Sequence, residues 1–163
     1  MEFNSFLQNC SSHLPPSEFS ELDAVCSTPP EGDSSFARKW RTTLADWRSF
    51  NTQERKQKLG QEKGREIYID SDQLRGDLYS AWQTNDPLLR EKALAGSLWN
   101  WIETQRRSAP FSLDDLIGYA LQLRILERMA LWNESEGQTQ FQEHTQSFLE
   151  PVLEELRKQD LSA

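Results

Sequence analysis

Cysteine is nearly missing from this chain: Cys10 and Cys26 are the only two among 163 residues. They lie outside any CxxC pair and so do not outline a zinc site. A chain of this length buries roughly 70% of its unfolded surface, so its core needs no disulfide or metal. Two buried or half-buried thiols in a reducing compartment is the simplest reading. A disulfide between them is permitted, and nothing requires it.

Chemistry-bearing residues are scarce as well. The two histidines, His13 and His144, both stand in polar segments, where surface placement outweighs catalysis. Seven scattered glycines form neither GxGxxG nor GxxxxGK[ST], which removes a phosphate cradle. No serine sits in GxSxG, and the ExxH motifs of a di-iron bundle are missing. Glu154 and Glu155 are adjacent and face apart on a helix, which suits solvation rather than acid–base work. We therefore expect no enzyme activity, no cofactor and no metal.

Long apolar runs are absent too: none approaches the roughly 18 residues that suggest a membrane span. The opening MEFNSFLQNC has neither the basic region nor the unbroken apolar segment of a signal peptide. The expectation is a soluble cytoplasmic protein, or one peripheral to something larger, with no direct membrane span. The net charge of −8 argues against nucleic acid as a partner, because phosphate binding needs clustered Lys and Arg. ERKQK (54–58) and QRR (105–107) read as solvated faces.

What is plentiful is aromatic and helical. Six Trp and eight Phe exclude a disordered chain, while the low mean hydropathy of −0.76 predicts helices with narrow apolar faces. Phe3, Phe6, Leu7 and Cys10 share one face of a first short helix. Pro15-Pro16 with Glu18 starts a second, continued by Phe19, Leu22, Val25 and Cys26. STPPEGDSS (27–35) is a linker. From Ser34, Phe36, Trp40, Leu44 and Trp47 recur at three and four, predicting a long helix that ends near Gly60 as C-cap. IYI at 67–69 is too short to read as a strand.

A fourth helix follows the Asp70-Ser71 cap with Leu74, Leu78 and Trp82. NDP (85–87) supplies an N-cap at Asp86 and a first-turn Pro87 for a fifth, apolar over a wide arc from Leu88 to Ile102. SLDD (112–115) is a capping box opening a sixth, expected to run to about Asn133. A bend at 134–137 precedes a last helix with Phe141, Phe148, Leu149, Val152 and Leu156. The fold expected is all-α, an irregular bundle of about six or seven helices in a single domain over 1–163. Residues 1–32 form its looser N-terminal helical segment and linker, and 33–163 its main bundle.

Two groups of residues are candidates for function. In LDDLIGYALQLRILERMALW (113–132), Arg124, Glu127 and Arg128 border an apolar band built from Leu113, Leu116, Ile117, Ala120, Leu121 and Ile125 or Leu126. Three explanations stand side by side. The arginine stems can cover the apolar edge with their heads in water. An ion-pair network can join Arg124, Glu127 and Arg128 to acids of another helix, such as Glu103 or Asp77. Or the guanidinium forks can face a partner and receive its carboxylates. The second group is Trp99 and Trp101, which are two apart on a helix and cannot both face one core. One of them is a candidate protein contact.

The same stretch carries a resemblance. FSLDDLIGYALQLRILERMALWN resembles the C-terminal signature of a bacterial family of uncharacterised proteins encoded beside V/A-type rotary ATPase subunits, through Asp114, Leu116, Tyr119, Ala120, Leu121, Leu123, Leu126, Glu127 and Arg128. Met129 stands where an aromatic is common. FARKWRTTLADWRSFN (36–51) is similar to that family's long Trp-bearing helix, NDPLLREKALAGSLWNWIE (85–103) to its Asp-Pro-led helix, and 3–22 more loosely to its N-terminal region. Family members also carry a short hydrophobic Tyr-rich segment before the first helix, which these residues do not match. The family is similar to the C (or d) subunit of the rotary ATPase, a helical socket between central shaft and membrane rotor ring. The resemblance implies a non-catalytic subunit or assembly factor of a proton- or sodium-translocating V/A-type ATPase, with shaft or ring subunits as partners. The alternative is a stand-alone helical regulatory or chaperone-like interaction protein unrelated to an ATPase.

Overall fold

The computed structural model describes residues 2–62, 67–107 and 110–132. Six α-helices span them: α1 (Phe3–His13), α2 (Pro16–Cys26), α3 (Ser35–Lys58), α4 (Asp72–Gln83), α5 (Pro87–Arg107) and α6 (Leu113–Ala130). No strand occurs among the described residues, and the fold is an all-α bundle. The chain divides into two compact units, Met1–Met129 and Ala130–Ala163. The architecture below is that of the first, which includes α1 and α2. The bend at 134–137 and the helix expected over Phe141 to Leu156 lie outside the described residues.

Capping chemistry places the helix ends. Ser34 Oγ accepts from the Ala37 N–H at 3.0 Å, Ser71 Oγ from Leu74 at 3.2 Å, and Asp86 Oδ1 from Leu89 at 2.9 Å. At the far end of α3, Gly60 takes a φ of +71°, its N–H bonds the Gln57 carbonyl at 3.0 Å, and the Gln61 N–H reaches back to Lys56 at 3.0 Å. That pair of bonds is a Schellman stop, which favours a residue free to adopt a positive φ. Ahead of α6, Ser112 Oγ accepts from the Asp115 N–H at 3.2 Å, while Asp115 Oδ2 takes the Phe111 N–H at 3.1 Å, one residue earlier than a reciprocal capping box requires.

The linker before α3 is pinned to α2. Glu21 accepts from the Asp33 and Ser34 N–H groups at 3.1 and 2.9 Å, and Arg41 donates to the Gly32 carbonyl. Burial alone pushes the Glu21 carboxyl up, but the Ser34 and Asp33 bonds and nearby Arg41 outweigh it and hold the group below its usual value. Gly32 has a φ of +102°, and a Cβ there would stand 2.7 Å from Glu21 Oε1 and 2.9 Å from Val25 Cγ2. Only glycine lets the loop close this tightly.

Tryptophans set the register of α3, α4 and α5. Trp47 Nε1 donates to the Leu94 carbonyl and to Ser97 Oγ at 3.3 and 3.2 Å; Trp40 and Trp101 ring centroids lie 5.9 Å apart. Arg55 meets Glu91 at 3.2 Å further along, so α3 and α5 run antiparallel. Trp82 Nε1 donates to Asn51 Oδ1 at 2.8 Å, and Asn51 Nδ2 to the Trp47 carbonyl at 2.8 Å. Trp47 and Trp82 thus bury large apolar bodies while their N–H groups find acceptors, which fixes one alignment among the many that greasy helices allow. Leu22, Leu74, Leu78, Leu94, Ile102 and Ile117 are fully enclosed in the same core. Each stabilises the fold by about 1.5–3 kcal/mol of transfer free energy.

Candidate protein-binding site

Helix α6 carries two sets of polar groups, one on each half. The first half faces α5. Gln122, only 2% exposed, accepts from Arg106 Nη1 and donates from Nε2 to Glu103 Oε2 at 3.1 Å. Arg106 Nε also donates to Asp115 Oδ1 at 2.7 Å, and its guanidinium lies 5.6 Å from the Tyr119 ring centroid. The arginine crosses α6 at Gly118. A Cβ there would stand 2.4 Å from Arg106 Cγ and 3.2 Å from Ile102 Cγ2. The hydrogen bond from Gln122, with Arg107 and Arg106 beside it, outweighs desolvation and holds the Glu103 carboxyl below its ordinary value. The bond from Arg106, helped by the Phe111 N–H, does the same for Asp115.

The second half carries the predicted cluster, in which Arg124 and Glu127 find backbone partners. Arg124 Nη1 donates to the carbonyl of Cys26, the last residue of α2, and the guanidinium sits 5.2 Å from the Phe3 ring centroid. Glu127 Oε1 accepts from the Phe3 N–H, the first of α1, at 2.5 Å. A cation thus meets a helix C-terminus and an anion a helix N-terminus, both signs matched to the helix dipoles. Glu2, the N-cap residue of α1, makes no side-chain cap bond, so Glu127 caps that helix from across the fold. Arg124 and Glu127 do not take the ion-pair partners that one of the three explanations offers them. Arg124 and Glu127 do not pair with each other, Glu103 is held by Arg106, Arg107 and Gln122, and Asp77 accepts from Asn100 Nδ2 at 3.1 Å. The missing signal was positional: nothing in side-chain spacing says where another helix will end.

Arg124 and Arg128 also line a groove of about 250 Å³ between α2, α3, α5 and α6. Its floor is apolar, with Val25, Trp40, Leu44, Leu98, Leu121 and Ile125, and Arg48 of α3 joins the two predicted arginines on its walls. Arg48 forms no ion pair with an acid among the described residues. Sequence reasoning missed Arg48 because it follows Trp47 on a helix read only for its apolar stripe. Burial pushes the thiol of Cys26, next to this groove, up to about 12 despite the opposing charge of Arg124, so it stays protonated.

The tryptophan pair divides as its spacing requires. Trp101 is buried against Phe36 and Trp40, and Trp99 is half-buried on another side of α5. His13 lies at the exposed end of α1, where Nδ1 bonds the Asn9 carbonyl at 2.8 Å. His144 lies outside the described residues. Among the described residues no group of three His, Cys, Asp or Glu could hold a metal ion, and no helix is long and apolar enough to cross a membrane.

Neither the curated proteins nor the solved structures contain a match to the chain. The family described as Protein of unknown function (DUF2764) matches residues 43–149, a span that takes in most of α3 and all of α4, α5 and α6, and the chain belongs to that family.

Proposed function

We propose that this protein is a non-catalytic protein-binding subunit or assembly factor of a V/A-type rotary ATPase, acting through the arginine-walled groove. The sequence resemblance supplies the ATPase, and the groove supplies the means. In a chain of net charge −8, Arg48, Arg124 and Arg128 gather around an apolar floor, which suits a partner segment that inserts an apolar side chain between carboxylates. Arg124 is already tied to α2, so the wall it forms is preorganised.

Affinity purification of the tagged protein from its native cells tests this. Shaft or rotor-ring subunits are expected to co-purify, and to be lost when Arg48 and Arg128 are both changed to Glu. Recovery of unrelated proteins through the same groove would support a stand-alone interaction protein instead. A source genome without rotary ATPase genes would end the ATPase reading.

A further inference from the structure

A second cleft, of about 440 Å³, opens on the other side of α3, where its first half meets the start of α4 and the end of α5. Its size falls within the roughly 300–1,000 Å³ of ordinary ligand pockets. Two polar side chains at least nine-tenths buried line it without satisfying their hydrogen-bonding groups inside the protein. Thr43 is 9% exposed, yet its hydroxyl does not bond back to its own helix as those of Thr42 and Thr104 do. Trp101 is 8% exposed, and unlike Trp47 and Trp82 its indole N–H donates to no acceptor among the described residues. Among the described residues no fully enclosed side-chain polar atom lacks a partner, so both groups keep an opening, and the cleft is the opening that both line.

Beside them stand two carboxylates, Asp46 and Asp70, without counter-ions among the described residues. Asp46 is half-buried and accepts no hydrogen bond among the described residues, and the charge that acts on it is Asp70, of the same sign. Burial first, and Asp70 second, push the Asp46 carboxyl above its ordinary value, the signature of an anion short of a cation. Asp77, the third acid, is already satisfied by Asn100. Arg38 and Lys39 line the same cleft, exposed, and reach neither acid within ion-pair distance.

We infer that this cleft receives a single lysine or arginine of a protein partner, its cationic head between Asp46 and Asp70 and a neighbouring backbone carbonyl on the Trp101 N–H. The Thr43 hydroxyl accepts a further N–H of the head group. Arg38 and Lys39 repel a second cation, which favours an isolated basic residue over a polybasic run. The cleft is separate from the arginine-walled groove, and the inference holds whether or not the ATPase reading does.

The test is a titration of the ¹⁵N-labelled full chain with acetyl-Gly-Arg-Gly-amide, following the Trp101 indole N–H resonance. A saturable shift is expected, at least tenfold weaker in Asp46→Asn, which removes an unpaired charge and should leave the fold intact. Acetyl-Gly-Glu-Gly-amide should produce no saturable shift. Butylguanidine, which has the guanidinium but neither a carbonyl nor a second cation, should move the signals around Asp46 and leave the Trp101 indole in place. Any of four results overturns the proposal: no saturable shift with the arginine peptide, an equal shift in Asp46→Asn, an equal shift with the glutamate peptide, or butylguanidine reproducing the Trp101 shift.

Discussion

The two halves of α6 are fastened by different means. Along the first half, side chains answer side chains: Arg106 reaches across Gly118 to Asp115 and Gln122, and Glu103 closes the circuit. Along the second half, Arg124 and Glu127 answer main-chain ends, the last carbonyl of α2 and the first amide of α1. The difference matters energetically. Removing one member of a half-buried circuit strands the others away from water, which costs more than the circuit's net worth. Removing Glu127 from the exposed start of α1 leaves an amide that water can reach. Similar residue types should therefore carry unequal weight a few turns apart.

Arg106→Ala should break this contrast most severely, lowering stability by about 2–3 kcal/mol because Gln122 and Asp115 lose their donor together. Urea unfolding reads it directly, and a loss under about 0.5 kcal/mol would mean the circuit is surface decoration. Gly118→Ala comes next. Helix propensity alone would favour Ala by about 1 kcal/mol, but displacing the Arg106 stem should turn the sign and cost about 1–2 kcal/mol net. In the Arg106→Ala background the same change should become stabilising. A penalty that persists there would remove Arg106 as the reason for the glycine.

Glu127→Ala should cost less, about 0.5–1 kcal/mol, as loss of a helix cap does. The effect should be local: Cys10, buried in α1, should label faster with a thiol reagent, while amide exchange in α4 and α5 stays unchanged. Uniform loosening of the bundle would contradict a capping role. The mildest effect is expected in acid. Glu103 and Asp115 both have depressed folded-state values, so their stabilisation is full above their unfolded values near pH 4 and drains as pH falls through the lower folded ones. Arg106→Ala should flatten that acid limb of the stability curve, and an unchanged limb would mean other carboxylates dominate it.

Most of the fold was legible because it rests on local rules. Ser34, Ser71, Asp86 and Ser112 announce helix starts through their own side chains, and Gly60 announces a stop through its positive φ. The spacing of Trp40, Trp47 and Trp82 tells which faces go inward, since core periodicity is set within each helix. The candidate site was legible only as a set of residues. Arg124 and Glu127 stand out by charge among apolar neighbours, but their partners are the ends of α2 and α1, and the C-terminal carbonyl of Cys26 looks like any other peptide group in a sequence. Gln122 and Gly118 were readable in hindsight of their physics: a glycine inside a strong helix costs about 1 kcal/mol, which calls for a close neighbour. Asp115 was read as a cap, and it also spends an oxygen on Arg106.

The groove between α2, α3, α5 and α6 is the centre of the account, and one measurement reaches it most directly. The purified chain is titrated against a purified shaft-and-ring subcomplex of a V/A-type ATPase, wild type beside Arg48→Glu/Arg128→Glu. The account predicts saturable binding that weakens as salt rises and is lost in the charge-reversed variant, with the variant's helical content unchanged. Equal affinity for both chains, or no binding by either, would contradict it.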